Sequence, residues 1–122
     1  MARILVAEDE TDLRNFLVDE LTSQRFGVTA VSNGADAVVA AAEERFDLYL
    51  LDMFMPGLDG IQVIRILRKL TPGTPILGLT GHVGRGYMAQ ASAYGITCLS
   101  KPVQFDQLLT EINEALAAKR VL

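Results

Sequence analysis

The sequence predicts an α/β fold: a doubly wound, five-stranded parallel sheet with helices on both faces. Two observations carry this reading. Five short apolar runs, at residues 4–7, 28–31, 48–51, 76–80 and 96–100, alternate with five stretches of helical periodicity. That alternation is the signature of β-α-β units stacked into one sheet, and right-handed crossovers then place helices on both of its sides. The chain has 122 residues, which suits a single domain over 1–122 built on one sheet.

The elements follow in order. Ile4-Leu5-Val6-Ala7 is the first strand, and Glu8-Asp9-Glu10 closes it. Thr11 and Asp12 can start a helix, whose inward stripe is Leu13, Phe16, Leu17 and Leu21, with Gly27 as its stop. Val28–Val31 is strand two, Ser32-Asn33-Gly34 a turn, and Ala35–Phe46 an alanine-rich helix facing inward through Val38, Ala41 and Ala42. Leu48-Tyr49-Leu50-Leu51 is strand three and ends on a lone carboxylate, Asp52. Pro56, Gly57 and Gly60 force a loop before helix three, with Ile61, Ile64 and Leu67 inward and Arg65, Arg68 and Lys69 outward. Thr71-Pro72-Gly73-Thr74-Pro75 breaks that helix, and Ile76–Thr80 is strand four. A glycine-rich loop, Gly81-His82-Val83-Gly84-Arg85-Gly86, precedes a weak helix over Tyr87–Tyr94 that Gly95 ends. Ile96–Ser100 is strand five, closed by Lys101-Pro102, and Phe105, Leu108, Leu109, Ile112 and Leu116 give the last helix its apolar face.

Composition narrows the function. Hydrophobic residues make up 50% and charged ones 21% of the chain, as in ordinary globular proteins. A net charge of −4 argues against nucleic acid as a direct partner. No apolar run reaches the ~18 residues of a membrane span, and no signal peptide is expected, since Met1-Ala2-Arg3-Ile4 leads straight into the first strand. Cys98 is the single cysteine, so no internal disulfide forms, which fits a cytoplasmic location. There is no repeat and no low-complexity segment, and these 122 residues are expected to hold no second, DNA-binding domain.

The polar residues at strand ends form a constellation. In a doubly wound sheet the carboxyl ends of the strands share one edge, where ligands bind. Glu8 and Asp9 end strand one, Asp52 strand three, Thr80 strand four and Lys101 strand five. Three clustered carboxylates repel one another and need a cation at neutral pH. Hard oxygen ligands favour Mg²⁺. A carboxylate can act as a nucleophile toward phosphorus. A metal with Lys101 would neutralise the phosphoryl oxygens, and the Thr80 hydroxyl could donate to them. Each residue also has a purely structural use: Asp52 as a turn residue, Glu8 and Asp9 at the start of the first helix, Thr80 as a strand terminus, Lys101 in an ion pair. The joint occurrence of all five favours the chemistry.

These motifs, Glu8-Asp9, the run Asp52-Met53-Phe54-Met55-Pro56-Gly57 with Asp59-Gly60, Thr80-Gly81 and Lys101-Pro102, resemble those of response-regulator receiver domains of two-component signalling. The resemblance runs from Arg3 to about Lys119. It implies a flavodoxin-like (βα)5 sheet in the order 2-1-3-4-5. It implies Asp52 as phosphoacceptor from a histidine kinase or histidine phosphotransfer protein. Mg²⁺ would be held by Asp9 and Asp52, by Glu8 largely through water, and by the Phe54 backbone carbonyl. Thr80 would be the switch hydroxyl, Lys101 the phosphate-binding ammonium, and Lys101-Pro102 a cis peptide. The structural task of Lys101 is expected to be small. A stand-alone receiver would signal by protein–protein contact through helix four, strand five and helix five.

Three positions depart from the family pattern. Cys98 stands three residues before the lysine, where an aromatic is usual. Gly81, followed by His82, replaces the usual alanine after the switch hydroxyl. Gly84 and Gly86 lie where helix four normally begins, so that helix should start late or fray. His82 reads as a loop residue and Cys98 as a small hydrophobe. Since Cys98 cannot replace a swinging ring, the loop 81–86 is the expected site of readout. Two other readings exist. An aspartate-dependent Mg²⁺ phosphatase of haloacid dehalogenase type would carry its nucleophile near the amino terminus in an Asp-x-Asp pair, whereas Phe54 stands two residues after Asp52. A degenerate receiver used only for docking would not need intact Asp52 and Lys101.

Overall fold

Each apolar run becomes a parallel strand: β1 (Arg3–Ala7), β2 (Gly27–Val31), β3 (Leu48–Asp52), β4 (Ile76–Thr80) and β5 (Thr97–Ser100). The computed structural model describes residues 1–81 and 87–121. Helices α1 (Thr11–Ser23), α2 (Gly34–Glu43), α3 (Gly60–Leu70) and α4 (Tyr87–Ala93) connect the strands, and α5 (Phe105–Val121) follows β5. The sheet order is β2-β1-β3-β4-β5. β1 pairs with both β2 and β3, Leu5 lying between Thr29 and Tyr49.

Side chains alternate along each strand, so the sheet feeds two apolar layers. Ile4, Val6, Leu48, Leu50, Leu77 and Leu79 pack against Leu17 and Leu21 of α1 and Leu108 and Ile112 of α5. Leu5, Ala7, Tyr49, Leu51 and Met53 pack against Ala37 and Ala41 of α2, Val63, Ile64 and Leu67 of α3 and Ala91 of α4. Tyr49 is buried with its hydroxyl 2.8 Å from Thr71 Oγ1, which meets the need of a buried phenol for a partner.

Several boundaries differ from the expected ones, each for a local reason. α1 ends at Ser23, and Gly27 is the first residue of β2. The stop is a Schellman turn: Phe26 N donates to Leu21 O at 3.2 Å, Arg25 N donates to Thr22 O at 3.0 Å, and Arg25 takes the left-handed conformation with φ 69°. Phe16 is not inward but 41% exposed at the seam with α5, its ring edge-on to Phe105 at 6.2 Å. α1 starts from Glu10 in the N-cap position, without a side-chain cap.

α2 stops at Glu43, with Glu44 extended. Phe46 lies outside the helix, buried against Tyr49 beneath the Arg3 guanidinium. The chain must straighten there because Asp47 N donates to Arg3 O at 2.7 Å, while Arg3 N donates to Asp47 Oδ2 at 2.7 Å. The buried residues of α2 are Gly34, Ala37 and Ala41, Val38 packs partly buried against the same core as expected, and Ala42 is exposed. On α3, Val63 joins Ile64 and Leu67 in the buried face, and Ile61 is only partly covered. Asp59 caps α3 through a reciprocal pair with Gln62. Gly95 ends the turn after α4 with φ 73°. The loop carrying His82, Gly84 and Gly86 lies outside the described residues.

Candidate functional site

The sheet brings the five strand-end residues to one edge. Glu8 follows β1 directly, and its N–H donates to Val31 O at 3.1 Å, continuing the pairing with β2. Its carboxylate is wholly buried; Oε2 accepts from Glu10 N at 3.0 Å. Asp9, one residue on, is exposed. Arg14 in the first turn of α1 donates to the carbonyls of Glu8 at 2.9 Å and Asp9 at 3.3 Å, so it fixes the backbone that presents both acids. The sequence reading missed Arg14; its position one turn into the helix after an acidic pair was the available signal.

Asp52 ends β3 beside Leu79 of β4 and is 3% exposed. Its Oδ1 accepts from Phe54 N at 3.1 Å, and its Oδ2 accepts from Lys101 Nζ at 3.2 Å. Thr80 ends β4, is fully buried, and through its carbonyl accepts Lys101 N at 2.8 Å. Lys101 enters the site just before a cis peptide to Pro102. Its Nζ also stands 2.9 Å from Glu8 Oε1, a charge contact without the direction of a hydrogen bond. Phe54 places its backbone at the site while the residue is 42% exposed.

Glu8, Asp9 and Asp52 each offer an oxygen, and these oxygens lie within 4.8 Å of one another. Burial pushes the Asp52 carboxyl up from 3.8 to about 7; the Phe54 N–H opposes this, Glu8 adds to it, and Lys101 opposes it. For Lys101, burial alone would favour the neutral amine, but Glu8 and Asp52 beside it outweigh that and hold its pKa above the ordinary value. Among the described residues one ammonium thus pairs with two carboxylates, Glu8 and Asp52, of a cluster of three. A hard divalent cation fits this donor set, because it would supply the missing positive charge and a partner for the buried Glu8 Oε1.

Cys98, read from the sequence as a small hydrophobe, faces the layer of α3 and α4 and packs half-buried against its core. Among the described residues no helix is long and apolar enough to cross a membrane.

Comparison with known proteins agrees with this geometry. The profile of the family described as the response regulator receiver domain matches residues 4–113. The chain is 38% identical to the response regulator receiver protein CpdR of Brucella abortus, over 97% of this chain and 99% of that protein. It is 36% identical to the uncharacterized transcriptional regulatory protein YkoG of Bacillus subtilis, over 93% of this chain and 50% of that one. The crystal structure of a response regulator receiver domain protein from Clostridium thermocellum superposes with a TM-score of 0.93 at 29% identity, over 99% of this chain and 98% of that one. Receiver domains bind Mg²⁺ at an acidic pocket, and this sheet edge holds such a pocket at Glu8, Asp9 and Asp52. Strand order, acidic edge and profile agree: the chain belongs to the response regulator receiver domain family.

Proposed function

We propose that residues 1–122 form one receiver unit that works as a phosphorylation-dependent switch with Asp52 as its phosphoacceptor. The observation that supports this most is the convergence of Glu8, Asp9 and Asp52 within 4.8 Å beside a single ammonium, Lys101. The donor would be a phosphohistidine on a histidine kinase or phosphotransfer protein. An oxygen of Asp52 attacks phosphorus, the phosphorus–nitrogen bond breaks, and the imidazole leaves, giving an acyl phosphate.

The chain's own residues prepare this step. Phe54 N and Lys101 Nζ orient the Asp52 oxygens. Lys101 remains to neutralise the added charge of roughly −2, and the Thr80 hydroxyl is drawn toward the phosphoryl oxygens. Asp9, Asp52, the Phe54 backbone carbonyl and, largely through water, Glu8 would hold Mg²⁺, which when bound keeps Asp52 ionised and offsets charge on the phosphoryl group. The signal then passes by protein–protein contact through the face of α4, β5 and α5.

Incubation with acetyl phosphate tests the reading. The chain should gain one acid-stable, base-labile phosphoryl group only when Mg²⁺ is present, and Asp52→Asn should abolish it. Undiminished labelling of that variant would overturn the assignment, and steady turnover of phosphate monoesters would point instead to a phosphatase.

A further inference from the structure

Met53 follows Asp52 directly and is fully buried. Its backbone is tied on two sides: its N–H donates to Leu79 O at 2.8 Å, and its carbonyl accepts from Gly60 N at 3.1 Å. Its side chain runs through a slot that exists because two residues lack a Cβ. A Cβ on Gly60 would stand 2.6 Å from Met53 Cα and 2.9 Å from its Sδ. A Cβ on Gly78 would stand 3.0 Å from the same Sδ.

A second sulfur reaches the same notch from β5. Gly78 pairs with Cys98 across β4 and β5, and a Cβ on Gly78 would stand 2.5 Å from Cys98 Sγ. The space above Gly78 is therefore filled from two sides by polarisable side chains. One belongs to the residue after Asp52. The other belongs to the edge strand, where Cys98 also lines an open groove of about 410 Å³ with Ser100, Gln104 and Gln107.

We infer that the notch over Gly78, against which Met53 Sδ and Cys98 Sγ both lie, is the mechanical link by which the state of Asp52 reaches the β5 edge, with Cys98 as a positioning residue. The inference rests on Asp52 being the phosphoacceptor. Close-packed interiors transmit displacement because no free volume absorbs it. A shift of the backbone at Asp52 carries Met53 with it. The Met53 thioether is confined by Gly60 and Gly78, so the movement is passed to Cys98. No ring has to swing; a small displacement of a half-buried thiol suffices. The arrangement depends on glycine at 78, because an alanine there would exclude the sulfur that now sits in the notch.

Cys98 is the sole cysteine, so its thiol reports on the link without labelling. The full chain is treated with Mg²⁺, with and without beryllofluoride, and the rate of reaction with an aromatic disulfide reagent is followed. Amide shifts of Asp52 and Lys101 report independently that beryllofluoride is bound. Occupancy should change the Cys98 rate by about threefold or more, as expected for a shift in local opening. Met53→Leu, which keeps the volume but not the shape, should bring the change to within about 1.5-fold. Gly78→Ala should expel the thiol, raise its rate and remove the dependence on occupancy. An unchanged wild-type rate despite shifted Asp52 and Lys101 amides would overturn the link alone. Full dependence retained in Met53→Leu would overturn it as well. Absence of those amide shifts would overturn the phosphoacceptor reading, and this inference with it.

Discussion

Lys101 Nζ stands closer to Glu8, at 2.9 Å, than to Asp52, at 3.2 Å. The nearer partner is the wholly buried one. This reverses the expectation that Lys101 has little structural work. Its ammonium is the only positive charge within ion-pair distance of Glu8 or Asp52 among the described residues. Removing one partner of a buried pair leaves an uncompensated charge. Lys101→Met should therefore destabilise the metal-free protein at pH 7. The loss should be about 1–2 kcal/mol, below that of a fully buried pair, because the lysine side chain is 21% exposed and Asp52 can take up a proton. Chemical denaturation in a chelator, then in Mg²⁺, checks this; Mg²⁺ should restore most of the loss. A variant as stable as the parent without metal would show that the ammonium is dispensable for folding.

The raised pKa of Asp52 gives the metal-free protein a pH dependence of definite sign. Folding holds the Asp52 proton more tightly than the unfolded chain does, with the pKa moved from 3.8 to about 7. Its contribution is complete below the unfolded value and is lost as pH rises through the folded one. Asp52→Asn removes the titration. The variant should gain on the parent across that window, reaching on the order of 1–3 kcal/mol by pH 8 in a chelator. Saturating Mg²⁺ should shrink the difference by stabilising the parent. A difference that stays constant with pH would show that Asp52 does not titrate there.

Arg25 carries the cost of ending α1. It occupies the left-handed region at φ 69°, where glycine is the usual residue, and its side chain is exposed. Arg25→Gly should raise stability by about 0.5–1 kcal/mol, since the relief of strain exceeds the entropy that glycine adds to the unfolded chain. A rise in the denaturation midpoint at unchanged slope is the expected result. A fall would mean that the arginine makes a contribution beyond its backbone.

How far the sequence could be read depends on which interactions set each feature. The strands were legible because their apolar runs are short and bounded by turn residues, and the order of polar residues at their ends placed the site. The end of α1 was not legible, because a residue other than glycine fills the turn and Gly27 drew the boundary three residues late. The end of α2 was hidden because Phe46 has an apolar residue's spacing but is taken by the packing around Tyr49 and Arg3. The duty of Lys101 depends on the burial of Glu8, which no local pattern encodes. Gly78 looked like an ordinary small residue in a strand, since the sulfur atoms that need its missing Cβ come from Met53 and Cys98.

Gly78 and Cys98 should therefore be coupled in stability. Gly78→Ala alone places a methyl 2.5 Å from Cys98 Sγ and 3.0 Å from Met53 Sδ. In a well-packed interior such an insertion costs about 1–3 kcal/mol. Cys98→Ala alone removes a half-buried sulfur and should cost less than about 1 kcal/mol, because the neighbouring groove lets solvent reach the gap. Combined, the two changes exchange volume across the paired strands: the methyl on β4 enters the space that the thiol has left. The double variant should be more stable than Gly78→Ala, with a coupling of about 1 kcal/mol favouring the pair. Denaturant titration of the four proteins closes the cycle. Additivity within about 0.3 kcal/mol would mean that the thiol does not sit in the Gly78 notch. It would also remove the structural basis for any link between Met53 and the β5 edge.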